Sequence, residues 1–125
     1  MSKLIMVGLG GFLGSVMRFG AGELMGRIPC VNCPPLGTLL VNVLGCLLIG
    51  LLAGLAEARD LFSHEMRLFL FVGLLGGFTT FSTFGLESFE LLRAGNWGMA
   101  LANVSAQVFL SLAAVWAGFT FSKLF

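Results

Sequence analysis

The stretch Gly76-Gly77-Phe78-Thr79-Thr80-Phe81-Ser82-Thr83-Phe84 lies in the middle of an apolar segment, 66–92. That segment is long enough to cross a membrane, which takes about 20 mostly apolar residues. Two adjacent glycines followed by four hydroxyl residues and interleaved Phe make poor continuous helix, because glycine and β-branched residues both lower helix propensity. The pattern predicts a break. A break at membrane depth is stable only where the freed N–H and C=O groups face protein or an ion pathway. Freed carbonyls can hold a cation, and freed N–H groups or hydroxyls can meet an anion. A kinked helix whose Ser and Thr hydroxyls bond back to the preceding turn fits the same composition.

Phe81 and Phe84 are three apart and share one face if the chain turns helically again after the break. The edge of an aromatic ring is its electropositive part and can face a small anion. Two Phe at helical spacing also serve plain packing. The hydroxyls of Ser82 and Thr83 beside them, and an amide on another span able to donate two N–H bonds, Asn42, favour a pathway.

Outward from this segment the chain is apolar almost throughout. Of its 125 residues 58% are hydrophobic and only 10% charged, and its mean hydropathy is +1.01. A soluble domain carries roughly 25% charged residues, so most of this surface faces lipid. The net charge of +1 comes from seven Lys and Arg with no basic run among them, which argues against a nucleic-acid partner. Four runs reach spanning length, 4–22, 36–56, 66–92 and 97–124. They predict an all-α integral membrane protein, a single domain of four transmembrane helices with the third broken mid-membrane. The first run follows Lys3 like a signal peptide, but three more follow at regular spacing, so it is read as retained.

Polar breaks separate the runs: Glu23, Arg27, Pro29 and Pro34-Pro35 first, then 57–65 with Arg59, Asp60 and His64, then 93–96 with Gly95 as a stop signal. Four spans put both termini on one side. On that side fall Lys3, Arg59, Arg67 and Lys123, against Arg18, Arg27 and Arg93 on the other, a bias too small to fix one orientation. If Arg18 snorkels from the end of its span and is not counted, a weak ordinary bias remains.

Gly10 and Gly14, and Gly50 and Gly54, are spaced four apart, as suits close helix contacts within or between subunits. Four helices enclose little volume, so a polar path is more easily built where subunits meet, and oligomerisation is expected. Polar residues inside spans are pathway candidates. They are Asn42, Glu87, and Asn103, Gln107 and Ser111 on one face of the fourth span. Asn42 equally suits an interhelical hydrogen bond, and Glu87, near an interface, equally suits snorkelling. Cys30 and Cys33 form a CxxC, but with His64 as the sole histidine a zinc site lacks ligands. Incidental thiols, or a disulfide or redox switch, remain.

Residues 76–84, GGFTTFSTF, resemble the third-helix signature of the Fluc (CrcB-type) fluoride channels. Gly37-Thr38-Leu39 with Asn42 and Gly45 resembles that family's second-helix motif, and 11–18, with Gly14 and Arg18, its first-helix pattern. The resemblance spans the whole chain. It implies a fluoride-selective channel of the bacterial inner membrane that exports fluoride passively and relieves its toxicity. It further implies an antiparallel, dual-topology homodimer with two pores. Phe81 and Phe84 would then be pore aromatics and Asn42 the pore amide, with Thr38, Ser82, Thr83 and Glu87 along a polar track. Arg18 would sit near a vestibule, and the backbone carbonyls of Gly76 and Thr79 from both subunits would hold a structural Na⁺ at the dimer interface. Asn103, Gln107 and Ser111 are further pore-lining candidates, and Cys30 and Cys33 are not part of the pattern.

A small multidrug-type transporter acting as an antiparallel dimer would need a membrane-embedded carboxylate in an early span, and the two early runs have none. A structural subunit predicts no broken helix and no polar track. No His, Cys or carboxylate cluster sits at catalytic spacing, so an enzyme is not expected.

Overall fold

The computed structural model describes residues 1–27, 34–59 and 61–124. The CxxC at Cys30 and Cys33 lies outside them, as does Asp60. The described residues form α1 (Ser2–Gly26), α2 (Leu36–Arg59), a composite third span and α6 (Trp97–Ser122). The third span consists of α3 (His64–Arg67), a π-helical segment (Leu68–Leu75), α4 (Gly76–Phe78) and α5 (Phe81–Arg93). Among the described residues, four helical runs are long and apolar enough to cross a membrane: Ser2–Gly26, Leu36–Glu57, His64–Arg93 and Trp97–Ser122. Relative to the apolar runs, α1 extends a turn further and takes in Glu23, which is exposed in its last turn.

The distribution of side chains is inverted relative to a soluble protein. The buried residues include polar Thr38, Thr80, Ser88, Asn103, Gln107 and Ser122 beside apolar Val41, Leu75 and Phe78, while Phe12, Phe19, Phe109 and Trp116 lie exposed. A surface this apolar is stable against hydrocarbon and not against water. The polar groups face inward because in lipid they have partners nowhere else.

Glycines set how closely the helices approach. A Cβ on Gly10 or Gly14 would run into the backbone carbonyls of Phe69 and Leu74, so α1 lies directly against the third span. On the other side, α2 and α6 share the most extensive helix contact. There Gly50 meets the Val115 backbone, Gly54 meets Ser122, and Gly118 meets the Leu47 carbonyl. Both glycine pairs are therefore used within one chain. Because there is no hydrophobic drive between helices in lipid, backbone proximity of this kind supplies the packing energy.

The π-helical segment is seen in the bond from the Gly76 N–H to the Phe71 carbonyl, five residues back. The third span then ends in a compact reversal. Gly95 adopts φ 75, the Gly95 N–H bonds the Leu92 carbonyl, and the Asn96 N–H bonds the Leu91 carbonyl. This is a Schellman stop, which needs a residue free of a Cβ penalty at positive φ. Asn96 then caps α6, its side-chain oxygen accepting from the Met99 N–H at 3.3 Å.

Candidate functional site

The third span breaks at two β-branched residues, both extended: Thr79 at φ −81, ψ 160 and Thr80 at φ −151, ψ 115. Up to Thr79 the ladder holds, since the Thr79 N–H bonds the Leu75 carbonyl at 3.0 Å. The Thr79 hydroxyl donates to that same carbonyl, also at 3.0 Å, so back-bonding to the preceding turn accompanies a real break. At Thr80 the ladder stops. Its N–H donates to Asn42 Oδ1 at 2.8 Å, and its carbonyl accepts from Asn42 Nδ2 at 3.1 Å. One side-chain amide on α2 thus does for Thr80 what a neighbouring strand would do.

Thr80 also starts α5. Its Oγ1 accepts from the Thr83 N–H at 3.3 Å, donates to Thr83 Oγ1 at 2.9 Å and lies 3.4 Å from Ser82 Oγ. With the N–H groups of Thr80 and Thr83 drawn elsewhere, the carbonyls of Gly76 and Thr79 are left without their helical donors.

Asn42 uses its second amide hydrogen on Gln107 Oε1, at 2.9 Å. The pairing follows from helix register. The second and third reversals make α2 and α6 run the same way, so two polar residues four apart on one helix, Thr38 and Asn42, lie level with two on the other, Asn103 and Gln107. Thr38 Oγ1 donates to Glu87 Oε1 at 2.6 Å. Asn103, completely buried, donates from Nδ2 to Ser88 Oγ at 3.0 Å, and Ser88 donates to the Phe84 carbonyl at 2.8 Å. Glu87 is therefore bonded to α2 through Thr38. Among the described residues, the buried side-chain atoms Glu87 Oε2, Asn103 Oδ1 and Gln107 Nε2 have no protein partner.

Two concavities flank this node. One, of about 440 Å³, is lined by Ser15, Arg18, Glu23, Thr38, Thr83 and Glu87. The other, of about 340 Å³, is lined by Asn42, Gly76, Thr79, Phe81, Phe84, Gln107 and Ser111 along with apolar residues including Cys46. Thr80 borders both. Phe81 and Phe84 meet edge to face, with ring centroids 5.2 Å apart at 68°, and Phe81 is 81% exposed.

Of the residues singled out in the sequence, Thr38, Thr83, Glu87 and Arg18 line the first concavity. Asn42, Phe81, Phe84, Gly76, Thr79, Gln107 and Ser111 line the second. Asn103 and Ser82 line neither. Sequence reasoning did not single out Thr80 or Ser88. The matched four-residue spacings of Thr38/Asn42 and Asn103/Gln107 carried the signal for the α2–α6 network.

The model of the family described as "CrcB-like protein, Camphor Resistance (CrcB)" matches residues 5–119. The chain belongs to this family. Curated relatives include a protein of Methylobacillus flagellatus, 45% identical over 99% of this chain and 97% of its own length. Another, from Parabacteroides distasonis, is 46% identical over 98% and 94% respectively. A third, from Paracoccus denitrificans, is 47% identical over 95% and 93%. All three are named fluoride-specific ion channel FluC, a channel and not an enzyme. In this CrcB-like chain, polar groups of α2, the break at Thr80 and α6 converge at Asn42, between two openings.

Proposed function

We propose that this protein is a fluoride-selective channel that lets fluoride leave the cell down its gradient and so relieves its toxicity. The observation that carries the reading is the Asn42–Thr80–Gln107 node between two concavities, in a bundle whose outer surface is apolar. The names of the relatives supply the ion. Fluoride is small and strongly hydrated, so passage needs donors in series that replace water without trapping the ion. Arg18 brings a positive charge to its concavity, beside the carboxylates of Glu23 and Glu87. Thr38, Thr83 and Ser111 supply hydroxyls, Ser82 stands behind them 3.4 Å from Thr80 Oγ1, and Phe81 and Phe84 supply ring edges. Asn42 has both amide hydrogens committed, so it meets an ion by exchanging its bond to Gln107, whose own Nε2 hydrogens are uncommitted.

The functional unit is an antiparallel homodimer with two pores, inserted in both orientations in a bacterial inner membrane. Phe81, at 81% exposure on the rim of the Asn42 concavity, is covered by the second subunit. The nearly balanced charges on the two sides support insertion both ways.

A structural Na⁺ fits the break. The carbonyls of Gly76 and Thr79 have lost their helical donors, and both residues line the same concavity. Carbonyl oxygen is the ligand a hard cation takes, and two subunits would bring four. The ion would supply positive charge that offsets the released carbonyls where the subunits meet.

The reading is tested by reconstituting the protein in liposomes loaded with fluoride or chloride and following efflux. The small multidrug-type alternative predicts instead proton-coupled movement of organic cations, which the same vesicles can report.

A further inference from the structure

We infer that Asn42 is a positioning residue for the cation site, because its Oδ1 holds the Thr80 N–H away from the Gly76 carbonyl and so keeps that carbonyl free to act as a ligand. The inference rests on the cation reading above. In an unbroken helix the Thr80 N–H would bond the carbonyl four residues back, which is that of Gly76. The helical ladder runs intact to Thr79, whose N–H reaches Leu75. It fails at the next residue, the one whose N–H is taken by Asn42 Oδ1 at 2.8 Å. Thr80 is buried, at 7% exposure, so its N–H depends largely on an acceptor from the protein. A buried amide without an acceptor is destabilising enough that the backbone rearranges to find one. Without the oxygen of Asn42, the acceptor that a continued α-helical ladder offers is the Gly76 carbonyl.

The two released carbonyls therefore have separate causes. Gly76 is freed by the Asn42 side chain. Thr79 is freed by the Thr80 hydroxyl, which takes the Thr83 N–H. The same Asn42 that borders the path proposed for the anion thus sets the state of a carbonyl proposed for the cation. The required chemical feature at position 42 is an acceptor oxygen, and the donor to Gln107 is not needed for this role.

The test is thermal unfolding of the purified protein and its variants, prepared throughout in choline chloride and titrated with sodium chloride at constant ionic strength. A bound cation raises the midpoint in proportion to its affinity. The wild type shifts upward with sodium. In Asn42→Ala, the sodium concentration that gives half the shift rises by at least about tenfold, or the shift disappears. Asn42→Asp keeps an acceptor, and Gln107→Leu leaves the Thr80 pairing in place, so both keep the sodium response within about threefold of wild type. Asn42→Val also lacks an acceptor but fills more space, and it replaces the alanine variant if that one does not assemble. A folded Asn42→Ala or Asn42→Val with the wild-type titration overturns the inference, as does a folded Asn42→Asp with no sodium response. A wild-type protein indifferent to sodium overturns the cation reading itself.

Discussion

The side-chain amide of Asn42 satisfies both backbone hydrogen-bonding groups of Thr80, accepting its N–H at 2.8 Å and donating to its carbonyl at 3.1 Å. An extended residue in the middle of a membrane helix would otherwise expose two polar groups to hydrocarbon. The break and the amide are therefore one unit, split between the third span and α2.

Removing that amide should unsettle the fold as well as the path. Asn42→Ala leaves the buried Thr80 groups and Gln107 Oε1 without their partner, a loss of about 2–3 kcal/mol. A lower unfolding midpoint in detergent, together with at least tenfold slower fluoride efflux, is expected. An unchanged midpoint would show that water or another side chain already serves Thr80.

Phe81→Ile and Phe84→Ile keep apolar bulk and remove the ring edges that meet 5.2 Å apart. Conduction should fall about tenfold in either variant while the assembly stays intact on gel filtration. Normal efflux from both variants would assign the two rings to packing.

Gly118→Val should prevent α6 from seating on α2, because its side chain would enter the Leu47 carbonyl. Overpacking against backbone destabilises by at least about 2–3 kcal/mol, so little folded protein should survive extraction. Gly98→Val, where nothing lies near a Cβ, is the control and should express as the wild type does.

The break is legible in the sequence because Gly76-Gly77 and four hydroxyl residues contradict an otherwise apolar helix, and the reversal is legible in Gly95 followed by Asn96. The π-helical run Leu68–Leu75 is not. Its residues are uniformly apolar apart from Gly73, and no side-chain pattern distinguishes a bond to the fifth residue back from one to the fourth. The bonding of Asn42 is equally hidden, since its two partners stand 38 and 65 residues away. Sequence shows that an amide is present in the span, while only the helix register shows that both its hydrogens are occupied. The glycine pairs illustrate the same limit: their spacing signals close approach, and only the packing shows that Gly10 and Gly14 meet the third span of their own chain.

Orientation is open to direct measurement. Adding two or three Lys to the loop at 57–65 should push all copies into one orientation, because the positive-inside bias acts through short loops. That variant alone should lose activity and regain it when coexpressed with an oppositely biased partner. Accessibility of a single reporter cysteine in that loop, in a Cys-free background, should show both orientations for the unmodified chain. Labelling from one side only, with full efflux, would show that the subunits are parallel.

The most direct measurement is paired efflux from liposomes carrying the purified protein, loaded with equal fluoride or chloride and followed with ion-selective electrodes. Along the proposed path amide, hydroxyl and ring-edge donors would replace the water of fluoride, so fluoride should leave rapidly and chloride at the rate of protein-free vesicles. Chloride efflux comparable to that of fluoride would contradict a fluoride-selective channel.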